Sequence, residues 1–180
     1  MWEHVLRRPA FIVATSMGGL VAQLLFRRHG VSRLQGFINV EGNLAPEDCM
    51  FSRQVVNGTF DDLISSKYDQ ICRKLMSSSF PGDHLIAHNM LLNLDRRAFY
   101  AYSFETVAES DSGKLLDEFI NLPCPRLFVY GDHNRTLSYL PRLRDSEVEV
   151  CEIARSAHFL LYDNPMMAYD AIAEFVDKHS

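Results

Sequence analysis

Basic clusters are scarce in this 180-residue chain, in which no run of lysine and arginine is longer than a pair. The formal net charge is −5 at pH 7. Proteins that bind nucleic-acid phosphates carry a basic face, so we expect no nucleic-acid partner. Hydrophobic residues make up 47% and charged residues 23%, a globular balance that excludes an intrinsically disordered chain.

Cysteine is also scarce, and its pattern excludes a zinc module. No CxxC pair and no histidine at zinc-finger spacing accompany the four cysteines, which are Cys49, Cys72, Cys124 and Cys151. We therefore expect neither a metal nor another cofactor. A chain of this length does not need disulfides to hold its core, so we predict reduced thiols in a cytoplasmic protein.

Long apolar runs are missing as well. Residues 11–26 follow Arg7 and Arg8 and superficially resemble a secretory signal, but the polar and glycine-rich residues 15–19 interrupt the run. No other apolar stretch approaches the length that crosses a bilayer. We predict no membrane span.

An alternation of strand and helix patterns opens the chain. Residues 11–14 form a short apolar run, typical of a strand buried on both faces of a parallel sheet. A helix follows, for which Gly30 supplies a left-handed cap. Its apolar face is predicted at Leu20, Val21, Leu24 and Leu25. Residues 34–40 have the pattern of the next strand, and two strands joined by one helix are parallel by strong preference.

The middle of the chain has a different character. Residues 44–121 predict helices and no convincing strand, with one helix after Thr59, one from Asp95 to about residue 109 and one at residues 114–120. Strand patterns return at residues 126–130 and 148–153, with a short helix between them near residues 137–143. A last helix starts at Pro165 with Asn164 as its cap. We predict an α/β fold with a mostly parallel sheet flanked by helices, whose core is residues 1–43 and 122–180 and whose helical insertion is residues 44–121.

The residues between the first strand and the first helix carry the most specific motif. Ala14-Thr15-Ser16-Met17-Gly18 has the form small-x-Ser-x-Gly, in which a sharp strand-to-helix turn requires small residues two before and two after the serine. The turn strains the serine and places it at a helix N-terminus, where the backbone N–H of Met17 favours an oxyanion. This motif resembles the nucleophile elbow of the α/β-hydrolase superfamily.

The resemblance implies a catalytic triad in the chain order serine, acid, histidine. Ser16 is then the nucleophile, and His158 is its base because it follows the last predicted strand and precedes the last helix. The resemblance also implies that the helical insertion is a lid. Its aromatic residues, Phe80, Phe99, Tyr100, Tyr102 and Phe104, weakly favour an apolar acyl or aryl small-molecule substrate.

The acid has two candidates. Most superfamily members carry it shortly after the penultimate strand, but that position here is Asn134, with Asp132 two residues before it. The alternative is Glu41 at the end of the strand after the elbow helix, an arrangement similar to that of some haloalkane dehalogenases. Strand ends are where ligands bind in such sheets, so we favour Glu41 over Asp132.

The identity of the nucleophile narrows the reaction. Dehalogenases and epoxide hydrolases of this superfamily use aspartate at the elbow, so Ser16 indicates acyl chemistry on esters, thioesters, lactones or certain carbon–carbon bonds. The competing hypothesis is a catalytically impaired binding protein with the same fold, favoured by the asparagine at position 134.

The start of the chain bears on that choice. A complete superfamily member has several strands before the elbow. Here residues 2–8 come before the elbow strand, and their pattern predicts the end of a helix. We therefore expect a fragment or truncated form that lacks the N-terminal strands and one oxyanion donor. Its exposed sheet edge would favour a homo-oligomer.

Overall fold

The computed structural model describes residues 8–180, so the helix end predicted at residues 2–8 lies outside the described residues apart from Arg8. The strands are β1 (Ala10–Thr15), β2 (Leu34–Val40), β3 (Arg126–Gly131) and β4 (Glu149–Ile153). The helices before β3 are α1 (Met17–His29), α2 (Met50–Val56), α3, α4 (Pro81–Asn93), α5 (Arg96–Asp111) and α6 (Lys114–Ile120). Helix α3 has three consecutive parts, which are Phe60–Asp62, a π-helical turn Leu63–Lys67 and Tyr68–Met76. The later helices are α7 (Leu140–Arg144), α8 (Leu160–Asp163) and α9 (Pro165–His179).

The four strands form one parallel sheet in the order β1-β2-β3-β4. Thr15 lies opposite Val40, which in turn lies opposite Val129 on β3. Gly131 lies opposite Ile153 on β4. The carboxyl ends of all four strands therefore meet at one edge of the sheet, and the residues that follow them become neighbours. The predicted α/β class and all four predicted strands are confirmed.

The expected burial of β1 is wrong. Val13 on this strand is 47% exposed, because β1 is an edge strand of the sheet that residues 8–180 form. The expected apolar face of α1 is wrong at Val21, which is 55% exposed. The buried side of that helix instead consists of Gly19, Leu20, Ala22, Gln23 and Phe26.

Each face of the sheet carries its own apolar core. On one face, Phe37 makes edge-to-face contacts with Phe26 of α1 and Phe119 of α6, with ring centroids 5.1 and 5.6 Å apart. On the other face, a cluster that includes Ile38 and Phe175 packs α9 against β2 and β3. The sheet is thereby held between two helical layers, which fixes the edge where its strands end.

The segment between β2 and β3 is helical, as predicted, and has a third apolar core. This cluster consists of Val55, Leu63, Tyr68, Ile71, Cys72, Leu75, Ala87 and Met90. Thr59 starts α3 with a reciprocal capping box to Asp62, and the Asp95 side chain caps α5. The sequence pattern did not predict α2 or α4. That this segment acts as a lid stays a prediction.

No helix in residues 8–180 is long and apolar enough to cross a membrane. The four cysteines carry free thiols, and all but the half-buried Cys151 are buried.

One tight contact ties the elbow to the end of β2. A Cβ added at Gly19 would lie 2.7 Å from the Cα of Gly42 and 3.3 Å from the Asn39 side chain. A Cβ added at Gly18 would meet only the Cβ of Ala14, at the ordinary distance of 3.9 Å. The demand for a small residue after the serine is therefore stricter at position 19 than at position 18.

We expect Gly19→Ala to lower the free energy of unfolding by about 1–3 kcal/mol, because backbone must move to accept the methyl group. Gly18→Ala is the matched control, and it should leave stability unchanged or raise it by up to about 1 kcal/mol because alanine favours a helix. Urea unfolding measures both values. Equal effects of the two substitutions would contradict the packing described here.

Candidate functional site

Ser16 lies at the turn between β1 and α1. Its backbone has φ 52° and ψ −130°, a conformation that residues with side chains rarely adopt. The Ser16 N–H donates to the Val40 carbonyl at 3.1 Å, which ties the turn to the end of β2. The Ser16 carbonyl accepts from the N–H of Gly19 at 2.9 Å. The side chain is thus fixed at the edge where the strands end.

The structure brings three of the predicted site residues into contact. The Ser16 Oγ lies 2.9 Å from the Nε2 of His158, and the Nδ1 of that ring lies 2.8 Å from an oxygen of Glu41. A carboxylate only accepts hydrogen bonds, so Nδ1 carries the proton and Nε2 accepts from the serine hydroxyl. These are the hydrogen bonds that a serine nucleophile, its base and an orienting acid require.

Glu41 directly follows β2 and is 5% exposed. Its carboxylate accepts from the backbone N–H of Gly131 at 2.8 Å. The Asn134 amide lies 2.9 and 2.8 Å from the two carboxylate oxygens, and His158 is a further donor. Because a buried charge is costly unless donors surround it, this arrangement is built for a carboxylate. The Glu41 backbone also has a positive φ of 44°.

Within residues 8–180 the imidazole of His158 hydrogen-bonds to Glu41 and Ser16, and Asp132, the other candidate acid, makes no hydrogen bond to it. One of its oxygens accepts from the backbone N–H of Ser156 at 3.1 Å. Hydrogen bonds from the backbone of Arg155 and Ser156 hold the pKa of Asp132 below its usual value. Asp132 therefore supports the loop that carries His158.

Further contacts that the sequence did not reveal fix this loop. Asp163 accepts from the Ala157 N–H at 3.0 Å and from the Gly82 N–H at 2.7 Å. A Cβ at Gly131 would lie 2.4 Å from the Ser156 carbonyl, so only glycine permits this approach of β3 to the loop. No signal in a single sequence identifies these partners, because they come from distant segments.

The sequence marks Asn134 as a departure from the position at which most members of the superfamily carry the acid. In the structure its amide donates to both oxygens of the Glu41 carboxylate. An aspartate at this position would place a second carboxylate against the first.

Solved structures of other proteins resemble this chain in fold. Neither a protein-family model nor a curated protein matches the chain. Among solved structures, a carboxylesterase of Nitrososphaera gargenis is similar with a TM-score of 0.70 at 14% identity, over 98% of this chain and 68% of that one. This chain has the α/β-hydrolase fold. An enol-lactonase from Burkholderia xenovorans has a TM-score of 0.70 at 15% identity, covering 98% and 69% of the two chains. An esterase from Exiguobacterium antarcticum has a TM-score of 0.72 at 11% identity, and the match covers 98% of this chain and 70% of that one.

A cavity of about 230 Å³ opens beside the serine of this α/β-hydrolase fold. Ser16, Met17 and His158 line it at the sheet edge. The helical segment adds mostly apolar side chains, including Met50, Phe51, Ile86, Met90 and Phe99. Of the aromatic residues considered from sequence, only Phe99 lines this cavity, and Tyr102 and Phe104 are exposed.

Met17 is the first residue of α1, so its backbone N–H lies beside Ser16 at the helix N-terminus. That this N–H donates to an oxyanion stays a prediction. Within residues 8–180, no group of three or more histidine, cysteine or acidic side chains is arranged to hold a metal ion.

Asp48 is a half-buried acid that the sequence did not single out, and it lines the same cavity. It accepts from the N–H groups of Leu44 and Ala45, each at 2.8 Å, and from the Tyr139 hydroxyl at 2.9 Å. Burial outweighs these hydrogen bonds and raises the pKa of Asp48 from 3.8 to about 6. The folded chain therefore binds this proton more tightly than the unfolded chain does.

A raised folded-state pKa gives stability that is present below about pH 4 and is lost as the pH rises through about 6. Asp48→Asn stays neutral and can still accept from both backbone N–H groups. Between about pH 4 and about pH 7, the stability of this variant should therefore rise by roughly 2–3 kcal/mol relative to the wild type. Urea unfolding across this pH range measures the difference. If the free energies of unfolding of the variant and the wild type change in parallel with pH, the raised pKa of Asp48 is refuted.

Proposed function

We propose that this chain is a serine hydrolase that cleaves an ester-like acyl bond through Ser16, His158 and Glu41. The observation that carries the proposal is the continuous hydrogen-bond path from the serine hydroxyl through the imidazole to the buried carboxylate, with steps of 2.9 and 2.8 Å. A serine hydroxyl is a weak nucleophile without such a base. The path supplies the base and the group that orients it.

The first half of the proposed reaction acylates the enzyme. Ser16 Oγ attacks the substrate carbonyl carbon while His158 Nε2 takes the hydroxyl proton, and the backbone N–H of Met17 donates to the oxyanion. The Glu41 carboxylate stabilises the imidazolium through the Nδ1 hydrogen. The tetrahedral intermediate then expels the leaving group, whose oxygen (or sulfur, in a thioester) receives the proton from Nε2, and the acyl group stays on Ser16.

The second half returns the free enzyme. Water attacks the acyl carbon and gives a proton to Nε2, and the intermediate releases the carboxylic acid as Ser16 Oγ takes that proton back. Esters, thioesters and lactones all fit this sequence, because each carries an acyl carbon and a leaving group that can be protonated.

Two observations support acyl chemistry over other reactions of the fold. The elbow residue is serine rather than the aspartate of dehalogenases and epoxide hydrolases, and the Nε2 of His158 lies 2.9 Å from its hydroxyl oxygen. The apolar side chains around the serine favour an apolar acyl or aryl group. We also propose that residues 44–121 act as the lid, because they supply most of this lining.

An impaired binding protein remains the rival proposal. Gly131 and Asn134 would donate to a buried Glu41 carboxylate in either case, because a buried charge needs donors. The two proposals differ in the serine, since only an enzyme needs a Ser16 hydroxyl that a base activates.

A fluorophosphonate probe tests the proposal, because it labels only a serine that a base has activated. We expect one label per chain, with mass spectrometry placing it on Ser16. Ser16→Ala and His158→Ala should abolish labelling, and Ser66→Ala, which removes an exposed serine far along the chain, is the matched control. An unlabelled wild-type chain or a labelled Ser16→Ala variant would refute the proposal.

A further inference from the structure

The loop that carries His158 lies between the sheet and the helical segment. On the sheet side, Leu160 belongs to the apolar core that packs α9 against β2 and β3. On the other side, Phe159 packs against the core of the helical segment, and its ring lies edge-to-face with the His158 imidazole at 4.8 Å. The position of the base therefore depends on both parts of the chain.

One carboxylate joins this loop to the helical segment. Asp163, the last residue of α8, accepts from the Ala157 N–H through Oδ2 at 3.0 Å and from the Gly82 N–H through Oδ1 at 2.7 Å. Gly82 lies in the first turn of α4, where the helix dipole stabilises a negative charge. The two oxygens of Asp163 thus hold the residue before His158 and the start of α4 at the same time.

Helix α4 approaches this loop very closely at Gly82. A Cβ added at this glycine would lie 2.6 Å from the Cβ of Phe159 and 2.8 Å from Oδ1 of Asp163. These distances are well inside van der Waals contact. Glycine therefore allows the helix to come near enough for its N–H to reach the carboxylate.

The same helix contributes to the wall of the cavity beside Ser16. Ile86 and Met90 of α4 line this cavity together with Phe159 from the loop of the base. A group that binds in the cavity therefore contacts the helix to which Asp163 is bonded. The link through Asp163 connects the cavity wall with the base.

We propose that Asp163 is a positioning residue that fixes His158 against Ser16 by linking its loop to the start of α4. The inference rests on the proposed acyl hydrolysis, and it makes the placement of the base depend on the docking of the helical segment. Asp163 lines neither the cavity beside Ser16 nor an adjoining cavity of about 390 Å³ that shares His158 with it. It therefore acts through the base and not through contact with the substrate.

The test measures both the rate constant and the final extent of fluorophosphonate labelling. Asparagine has one oxygen where Asp163 uses two, so Asp163→Asn loses one hydrogen bond and sets its amide against an N–H group. The final extent should equal that of the wild type. The rate constant should fall by about 10–100-fold, since a misplacement of ~1 Å can cost ~10²-fold. Asp170→Asn, which removes the charge of an exposed aspartate on α9, is the matched control and should label at the wild-type rate.

Ester turnover gives a second readout. Per labelled site, kcat for a simple acyl ester should fall in Asp163→Asn while KM changes little, because Asp163 lines neither cavity. A lost contact with the substrate would instead raise KM.

Gly82→Ala tests the same link from the side of the helix. The added methyl group must push α4 away from the loop, so the rate constant of labelling should fall here too. Asn89→Ala, at an exposed position of α4, is its control and should leave the rate constant unchanged. The double variant Gly82→Ala/Asp163→Asn should be little slower than Asp163→Asn, because both changes break one link. If Asp163→Asn does not fold, Gly82→Ala alone decides.

The outcomes separate the two proposals. Labelling of the wild type that is lost in Ser16→Ala supports the proposed function, and an unchanged rate constant in Asp163→Asn or in Gly82→Ala then overturns the positioning role alone. A lower final extent at an unchanged rate constant also overturns it, because Asp163 would then serve only folding. Effects that multiply in the double variant would show two independent actions and contradict the link. If the wild type is not labelled, both proposals are wrong.

Discussion

The buried carboxylate of Glu41 is the interaction on which the site depends. It joins three strand ends, because it follows β2, accepts from Gly131 at the end of β3 and holds the imidazole that follows β4. Taking a carboxylate out of water is costly, and the cost is offset only if its donors are in place. The sheet provides that placement. Parallel strands in register bring their carboxyl ends to one edge, and the chain puts one polar side chain after each of them.

The backbone at this edge is as constrained as the side chains. Both Ser16 and Glu41 have positive φ angles, and the tight approach of Gly19 to Gly42 locks the two turns together. Local strain of this kind persists where the surrounding structure over-determines it. The two helical layers on the sheet supply that rigidity, while the helical segment between β2 and β3 shapes the cavities. The rigid sheet edge and the variable shape of the cavities therefore come from different parts of the chain.

Much of the fold could be predicted from the sequence because its signals are local. The apolar strands, the small-x-Ser-x-Gly turn, the Asp95 and Asn164 caps and the position of His158 all lie within short windows. Helix α4 could not be predicted, because its apolar residues do not lie on one face of the helix. The exposure of Val13 depends on which strands flank β1, which no local pattern encodes.

At the site, Glu41 was favoured from its place at a strand end. The hydrogen bond from Asn134 to Glu41 joins residues 93 positions apart. The pKa of Asp48 is raised by burial among segments that meet only in the fold.

The central claim is that Glu41, and not Asp132, is the acid that serves His158. Steady-state turnover of a simple acyl ester by Glu41→Gln and Asp132→Asn tests it most directly. Glutamine keeps the size of the side chain but loses the charge that stabilises the imidazolium, so turnover should fall by up to about 10⁴-fold. Asparagine at position 132 can still accept from the Ser156 N–H, so turnover should fall only a few fold. The reverse ranking of the two variants would contradict the account.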